Sequence, residues 1–322
     1  MNKVIVTITG AAGNIAYSLI FRILSGNIFP NDTKIQLNLL DITEALSILK
    51  GIKYEIEDCA FNNLDSILIT DNPEKGFADA DFVLLVGAKP RLKGMQRADL
   101  LLENANIFQH HAKIIDNFAK SSTKIIIVGN PANTNALIIQ HHTKKISSEN
   151  ITSLMRLDQN RAKSILGSKV NKPVESIKQL VVWGNHSTTQ FPDISNTLIS
   201  NDNSFIKNLD ANWINDTFIP RVQNRGAEII EHRGKSSAAS AIYDHLNALV
   251  NGSNDWESMG VISNNSYGID SEIFFSFPLN VTDSSFSVIN NLVISEAAIN
   301  YIKKSEAELI SERDIIKDIL KS

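Results

Sequence analysis

The chain alternates between short apolar, β-branched runs and longer stretches whose apolar residues recur at helical spacing. Val4-Ile5-Val6-Thr7-Ile8-Thr9 opens the pattern, and Lys34 to Leu40 follows, closed by Asp41. Ser66 to Thr70, Phe82 to Val86 and Lys124 to Val128 repeat it. Continuous runs of this kind suit strands covered on both faces, as in a parallel sheet. A helical pattern follows the first run's glycine turn, and Glu44 to Asp58 and Ala98 to Lys120 predict further helices. Strand and helix in strict alternation predict a doubly wound parallel sheet.

After about Asn150 the pattern changes. Arg156 to Ser168 predicts a helix, and Leu180 to Trp183 and Thr188 to Phe191 read as strands around Gly184-Asn185-His186. Asp216 to Asn251 is a long helical region interrupted near Gly234. Met259 to Ile262 and Phe274 to Phe277 are strand-like, and Asn290 to Leu320 predicts a closing amphipathic helix with Leu292, Ile299, Ile302 and Leu309 among its apolar positions. With no repeat and no low-complexity linker, the expectation is an α/β chain of two closely packed units. Residues 1–153 form the parallel sheet, and residues 154–322 an α+β unit that completes the site.

Length agrees, because 322 residues exceed what one core usually holds. Hydrophobic residues at 43% and charged residues at 20% make an ordinary globular mixture. A net charge of -4 without any Lys/Arg block gives no support to a nucleic-acid or membrane-surface partner. The apolar opening run is too short for a signal or membrane segment, so a cytoplasmic location is expected. The single cysteine, Cys59, can form neither an internal disulfide nor a multi-cysteine zinc site, and reads as a small buried hydrophobe. His110-His111 and His141-His142 lack metal-ligand spacing with acidic partners and read as helix-surface pairs, so no metal is expected.

Gly10-Ala11-Ala12-Gly13-Asn14-Ile15-Ala16 joins the first strand to its helix. Glycines there let backbone approach an anion, and the helix N-terminus supplies amide donors and a partial positive charge. The spacing Gly10-x-x-Gly13-x-x-Ala16 is a variant of a dinucleotide fingerprint, although small residues also fill tight turns without any ligand. Asp41 ends the next strand, where a carboxylate accepts ribose hydroxyls and repels a 2′-phosphate, favouring NAD over NADP. The same residue could cap a helix over Ile42 to Leu49, and one side chain can do both. Asp41 lies farther from Gly10 than the usual ~20 residues, so Asn27 to Asp32 is read as an extension of the connection.

Three further segments suit a negatively charged substrate. Gly87-Ala88-Lys89-Pro90-Arg91-Leu92-Lys93-Gly94-Met95-Gln96-Arg97 follows a sheet strand and carries Arg91 and Arg97, which in isolation read as solvated charges. In Arg156-Leu157-Asp158-Gln159-Asn160-Arg161, Asp158 and Arg161 share a helix face at i, i+3. They form either a surface ion pair or a site in which Arg161 forks onto a carboxylate. His186, in a Gly/Asn turn, is a structural residue if alone and a general acid/base if paired with a buried Asp, which would fix its tautomer and favour the imidazolium.

Taken in order, the Gly10–Ala16 turn with Asp41, the Gly87–Arg97 loop with Asp99-Leu100-Leu101, Gly129-Asn130-Pro131-Ala132-Asn133-Thr134-Asn135, Leu157-Asp158-Gln159-Asn160-Arg161 and Trp183-Gly184-Asn185-His186-Ser187 resemble the malate dehydrogenases of the lactate/malate dehydrogenase superfamily, in the branch of the eukaryotic cytosolic enzyme. The resemblance runs from residue 4 to beyond 240. It implies an N-terminal Rossmann domain followed by a substrate domain, and reversible hydride transfer between NAD and malate/oxaloacetate, a tricarboxylic acid cycle step, in a homodimer. It implies that His186 exchanges the proton and Asp158 orients it. Arg161 would bind the carboxylate beside the reacting carbon, Arg91 the distal carboxylate, and Arg97 the carbonyl. Asn130 would touch substrate and hold the nicotinamide end, and Ser240 would lie near the site. Asn104 and the Val128-Gly129-Asn130 backbone would line the NAD channel. Relatives often carry glutamine seven residues after the Asn104 position; His111 stands there, a departure that leaves this cofactor-side candidate open.

A lactate-type 2-hydroxy-acid dehydrogenase is the nearest alternative, and Arg91 argues against it. A short-chain reductase would need Tyr-x-x-x-Lys, which is missing, and a zinc alcohol dehydrogenase would need its cysteines. An NAD-responsive binding protein on the same fold would bind NAD without turnover.

Overall fold

The computed structural model describes residues 2–90, 97–232, 236–282 and 285–322, and at Arg97 and Ile230 the backbone alone. Arg91 and Gly234 lie outside the described residues.

The first half is built as the apolar pattern dictates. Strand β1 (Asn2–Thr9) leads into helix α1 (Asn14–Ser25), which buries Ala16, Leu19, Ile20, Ile23 and Leu24 on one stripe. Each large apolar side chain so buried is worth about 1.5–3 kcal/mol relative to exposure. Strand β2 (Thr33–Leu40), a 3₁₀ turn at Thr43–Ala45, helix α2 (Leu46–Asp58) and the edge strand β3 (Leu64–Thr70) follow. Next come α3 (Pro73–Phe77), β4 (Phe82–Leu85), α4 (Arg97–Phe118), β5 (Lys124–Ile127), α5 (Ala132–His142) and β6 (Ile151–Leu154). All six strands are parallel, in the order β3-β2-β1-β4-β5-β6. The order reverses between β1 and β4, the point where a doubly wound sheet opens a crevice at its carboxyl ends.

The second half opens with α6 (Arg156–Val170). It continues with the short strands β7 (Ile177–Lys178), β8 (Val181–Trp183), β9 (Phe191–Asp193) and β10 (Leu198–Ile199). Helical segments α7 (Ser204–Lys207), α8 (Ala211–Trp213), α9 (Ile219–Glu231) and α10 (Ser236–Asn251) come next. The chain ends with β11 (Glu257–Ile262), β12 (Phe274–Thr282), β13 (Ser285–Val288), α11 (Glu296–Ile315) and α12 (Lys317–Lys321). The second half mixes helices with antiparallel strands, as expected of an α+β unit, and its main strands join the first half's sheet. β11, β12 and β13 add antiparallel onto β6, so one nine-stranded sheet crosses the junction. Only the small pairs β8–β9 and β7–β10 stand apart among the described strands. The core is continuous too, with Leu19 and Ile23 in one apolar cluster with Ile242 and Leu246.

Other differences have local causes. The closing helix starts at Glu296 rather than Asn290, because Ser295 caps it by accepting the Ala298 N–H and Asn291 just before has a φ of 65°. Cys59 is exposed at the end of α2 and is not part of the core. His111 is not a surface residue of α4: its ring packs edge-on against Phe77, and burial pushes it down to about 4. Partly buried ion pairs tie α6 to the region of β11, with Lys163–Asp255 at 2.6 Å and Arg156 on Glu257. No helix among the described residues is long and apolar enough to cross a membrane.

His245 of α10 is fully buried beside β6, with Nε2 2.9 Å from Thr152 Oγ1 and Nδ1 without a partner. Burial, then the charge of Arg156, pushes it down to about 3. The native state therefore keeps it neutral while the unfolded chain takes up a proton below the ordinary histidine value of about 6.5, so stability falls as pH drops. Between pH 7 and pH 5 this residue should remove about 2 kcal/mol of stability. Urea unfolding at both pH values should show that drop to be larger in the wild type than in His245→Gln; equal drops would refute it.

Candidate active site

The turn after β1 is shaped by a close approach of two backbones. Gly10 has a φ of +61°, and a β-carbon on it would fall 2.6 Å from Gly87 Cα in the turn after β4. Only glycine tolerates both the left-handed conformation and the contact. Gly13 N–H then donates to Gly10 O at 2.9 Å, and the first helical bond runs from Tyr17 N–H to Gly13 O at 2.8 Å. The amides of Asn14, Ile15 and Ala16 precede that bond and are the free donors of a helix N-terminus. Asp41 lies across from them, accepting the Ala12 N–H at 2.8 Å through Oδ2 and the Ile42 N–H at 2.8 Å through Oδ1. It therefore braces the glycine turn rather than capping the next helix, whose N-cap is Ile42.

The second part of the site centres on Asp158, in the first turn of α6 and fully buried. Its Oδ1 accepts from Arg161 Nη1 at 2.8 Å, and its Oδ2 makes a short hydrogen bond with His186 Nδ1. Burial by itself would push the carboxyl up. The opposing pull of His186, through charge and hydrogen bond, together with Arg161 and the Gln190 amide, outweighs burial and holds it below the ordinary carboxylate range. With Nδ1 committed to Asp158, Nε2 is the nitrogen His186 has left for a ligand. Arg161 Nε is buried without a hydrogen-bond partner.

These two parts meet. A single cleft of about 870 Å³ is lined by Gly10, Ala12 to Ala16, Asp41, Val128, Asn130, Arg161 and His186. A second cavity of about 330 Å³ continues from Asn130 and His186 toward Leu309 and Glu312 on α11. Ala11 and Gly129 are buried just behind the lining. Ser240 opens instead into a neighbouring pocket that also includes Arg161. Arg97 begins α4, and Arg91 is outside the described residues.

Two expected cofactor contacts lie elsewhere. Asn104 is wholly buried, and its amide is used up on one backbone unit: Oδ1 accepts the Lys89 N–H at 2.7 Å and Nδ2 donates to Lys89 O at 3.3 Å. It anchors the segment after β4 and does not line the cleft. His111, against Phe77 and Phe108, does not line it either.

Sequence reading missed the side chains that hold the His186 turn. Gly184 has a φ of +98°, and a β-carbon there would overlap Ser305 Oγ of α11. Ser305 Oγ in turn accepts the Asn185 N–H at 2.9 Å, while Ser187 and Thr189 donate to Glu308 at 2.9 and 2.5 Å. Gln190 and Gln223 add amides to the cleft. These are serines, threonines and amides far apart in the chain, with no spacing to mark them. Among the described residues no cluster of His, Cys, Asp and Glu is arranged to hold a metal ion.

The arrangement can hold an anionic dinucleotide at the glycine turn and present a proton-transfer pair and an arginine to a small acid beside it. Comparison with known proteins agrees. The lactate/malate dehydrogenase NAD binding domain matches residues 4–152, and the lactate/malate dehydrogenase alpha/beta C-terminal domain matches residues 155–320. Malate dehydrogenase from Naegleria fowleri is 38% identical over 99% of each chain, with a TM-score of 0.95. Trichomonas vaginalis lactate dehydrogenase, solved with NADH and oxamate, is 33% identical over 99% of each chain, with a TM-score of 0.93. Plasmodium falciparum malate dehydrogenase, at 22% identity over 99% of this chain and 100% of its own, shares the fold with a TM-score of 0.84. The chain belongs to the lactate/malate dehydrogenase family and is an NAD-dependent oxidoreductase of that family.

Proposed function

We propose that this enzyme is a malate dehydrogenase, catalysing (S)-malate + NAD+ = oxaloacetate + NADH + H+. The observation that carries the reading is the shared cleft, which puts the dinucleotide turn, Arg161 and His186 around one space. When bound, NADH would supply hydride for reduction of a 2-oxo acid carbonyl. The amides of Asn14, Ile15 and Ala16 would hold its phosphates, and Asp41 its ribose. Arg161 forks onto the carboxylate next to the carbonyl and so fixes which face of the carbon is presented. His186 Nε2 gives its proton to the carbonyl oxygen as negative charge develops there, and takes it back in the reverse reaction. Asp158 stays ionised throughout, holding Nδ1–H and stabilising the imidazolium.

Malate is favoured over lactate by Arg91, a second arginine able to neutralise a second carboxylate, and by the 38% identical malate dehydrogenase. Leaving such an arginine unpaired against pyruvate would cost several kcal/mol. The Trichomonas lactate dehydrogenase at 33% identity supports the second reading, a lactate enzyme. A homodimer in the cytoplasm, serving the tricarboxylic acid cycle, belongs to the same proposal and rests on the sequence resemblance.

The deciding assay is the initial rate of NADH oxidation at 340 nm with oxaloacetate beside pyruvate. Oxaloacetate should be the better substrate by kcat/KM; a preference for pyruvate would overturn the malate reading and leave the lactate reading standing. Asp41→Ala should narrow the preference for NADH over NADPH by at least about tenfold, since opposed like charges cost several kcal/mol. An unchanged ratio would remove Asp41 from the ribose site. Asp158→Asn should lower kcat by roughly 10³-fold, because the tautomer and the imidazolium both lose support, while NADH affinity read by fluorescence titration stays the same. Retention of kcat within tenfold would mean that the pair is structural.

A further inference from the structure

The segment Ala132-Asn133-Thr134-Asn135 opens α5 just after the cleft residue Asn130, and its polar side chains leave in three directions. Thr134 Oγ1 donates to Glu312 of α11, and Asn135 Nδ2 donates to Gly129 O at 2.8 Å. Asn133 turns instead toward the catalytic turn of the other half of the chain. Its Oδ1 accepts the His186 N–H at 3.1 Å, and its Nδ2 donates to Phe274 O of β12 at 3.1 Å and reaches Gly184 O at 3.4 Å. The side chain is 2% exposed.

The geometry points to Asn133 as a positioning residue for His186, an inference that rests on the dehydrogenase reading of this site. His186 is then held at two places by two different helices. Asp158 on α6 holds the ring at Nδ1, and Asn133 on α5 holds the backbone from which the ring projects. The two anchors have separable effects. Asp158 sets the tautomer and orientation of the ring. Asn133 sets how far the ring stands from Asn130 and the rest of the cleft lining, because α5 begins two residues after Asn130, with Pro131 as its N-cap. A carboxamide is required for this, since one atom must accept from an N–H while its neighbour donates to two carbonyls. Loss of the acceptor removes the bond of the His186 N–H, and loss of the donor removes the bond to Phe274 O, while Gly184 O keeps the Ser276 N–H at 2.7 Å.

The test compares wild type with Asn133→Ala and Asn133→Asp, using whichever of oxaloacetate or pyruvate the wild type turns over. A mistaken substrate therefore shows in the wild-type panel and leaves the comparison intact. Asn133→Ala should lower kcat by about 10- to 100-fold, the usual consequence of a misplaced acid/base group. KM and the NADH dissociation constant should stay within about threefold, and the pH midpoint of kcat should not move. Asn133→Asp keeps the shape and the acceptor but sets a carboxylate oxygen against the Gly184 and Phe274 carbonyls. Once protonated, that oxygen donates as the amide did. Its kcat relative to wild type should therefore recover as pH is lowered from 8 to 6. A kcat within twofold of wild type in folded Asn133→Ala, or a uniform loss of NADH affinity and kcat together, overturns the proposal. If the alanine variant fails to fold, the aspartate variant decides alone: a ratio to wild type that is flat with pH is the overturning result.

Discussion

Everything in the site depends on how one carboxylate, Asp158, is kept charged without water. An unpaired buried ion costs several kcal/mol, so both of its oxygens must be bonded. One takes Arg161 and the other His186. Its depressed pKa means that the charged form contributes stability throughout the range above ordinary carboxylate titration. That contribution is lost only as pH falls through the lowered value. The bonds that make the burial tolerable also lock α6 against the 184–190 turn. They commit Nδ1 of the imidazole and aim the guanidinium. The geometry around His186 and Arg161 thus follows from satisfying a buried charge.

The sheet explains why the remaining groups arrive at the same place. Gly10, Asp41, Gly87 and Asn130 all follow the carboxyl ends of parallel strands, β1, β2, β4 and β5, and Asp158 follows β6 by one turn of α6. At the reversal between β1 and β4 the two following turns diverge to different faces, and the backbone contact of Gly10 with Gly87 marks that point. The His186 turn comes from the second half, but β11 is hydrogen-bonded to β6 and Gly184 pairs with Ser276 of β12. The His186 turn is therefore attached to the same sheet that carries the Gly10 turn. A rigid seam suits a reaction in which hydride and proton must reach adjacent atoms.

What could be read in the sequence was whatever has a local signature. The central strands are continuous apolar runs, and the glycine turn, Asp41, Asp158, Arg161 and His186 each sit in a short motif. β6 and β13 escaped because Ile151-Thr152-Ser153-Leu154 and Ser285-Phe286-Ser287-Val288 are short and half polar. Their strand character comes from the neighbours they pair with. Asn104 was expected at the cofactor and instead holds Lys89, because an amide in a helix carries no mark of which neighbour it will bond. His111 faces Phe77 for a similar reason: helix periodicity placed it near the surface, and only the packing of α3 against α4 shows that it is covered. Asn133 and Ser305 lie far from His186 in sequence and touch it or its turn only after the two halves join.

The family's two substrates can be understood from the same division of labour. On the proposed reading, His186, Asp158 and Arg161 would act on the 2-oxo acid unit that oxaloacetate and pyruvate share, so nothing in that group would need to differ between a malate and a lactate enzyme. Discrimination would then fall on what meets the rest of the substrate, and the proposed malate reading assigns that to Arg91. A charge in that position selects by the penalty of leaving it unpaired, which needs one side chain and no change of fold. Relatives bearing either name would then be expected at similar distance. The values of 38% for a malate dehydrogenase and 33% for a lactate dehydrogenase, both over nearly the whole chain, fit a specificity that can change without disturbing the machinery beneath it.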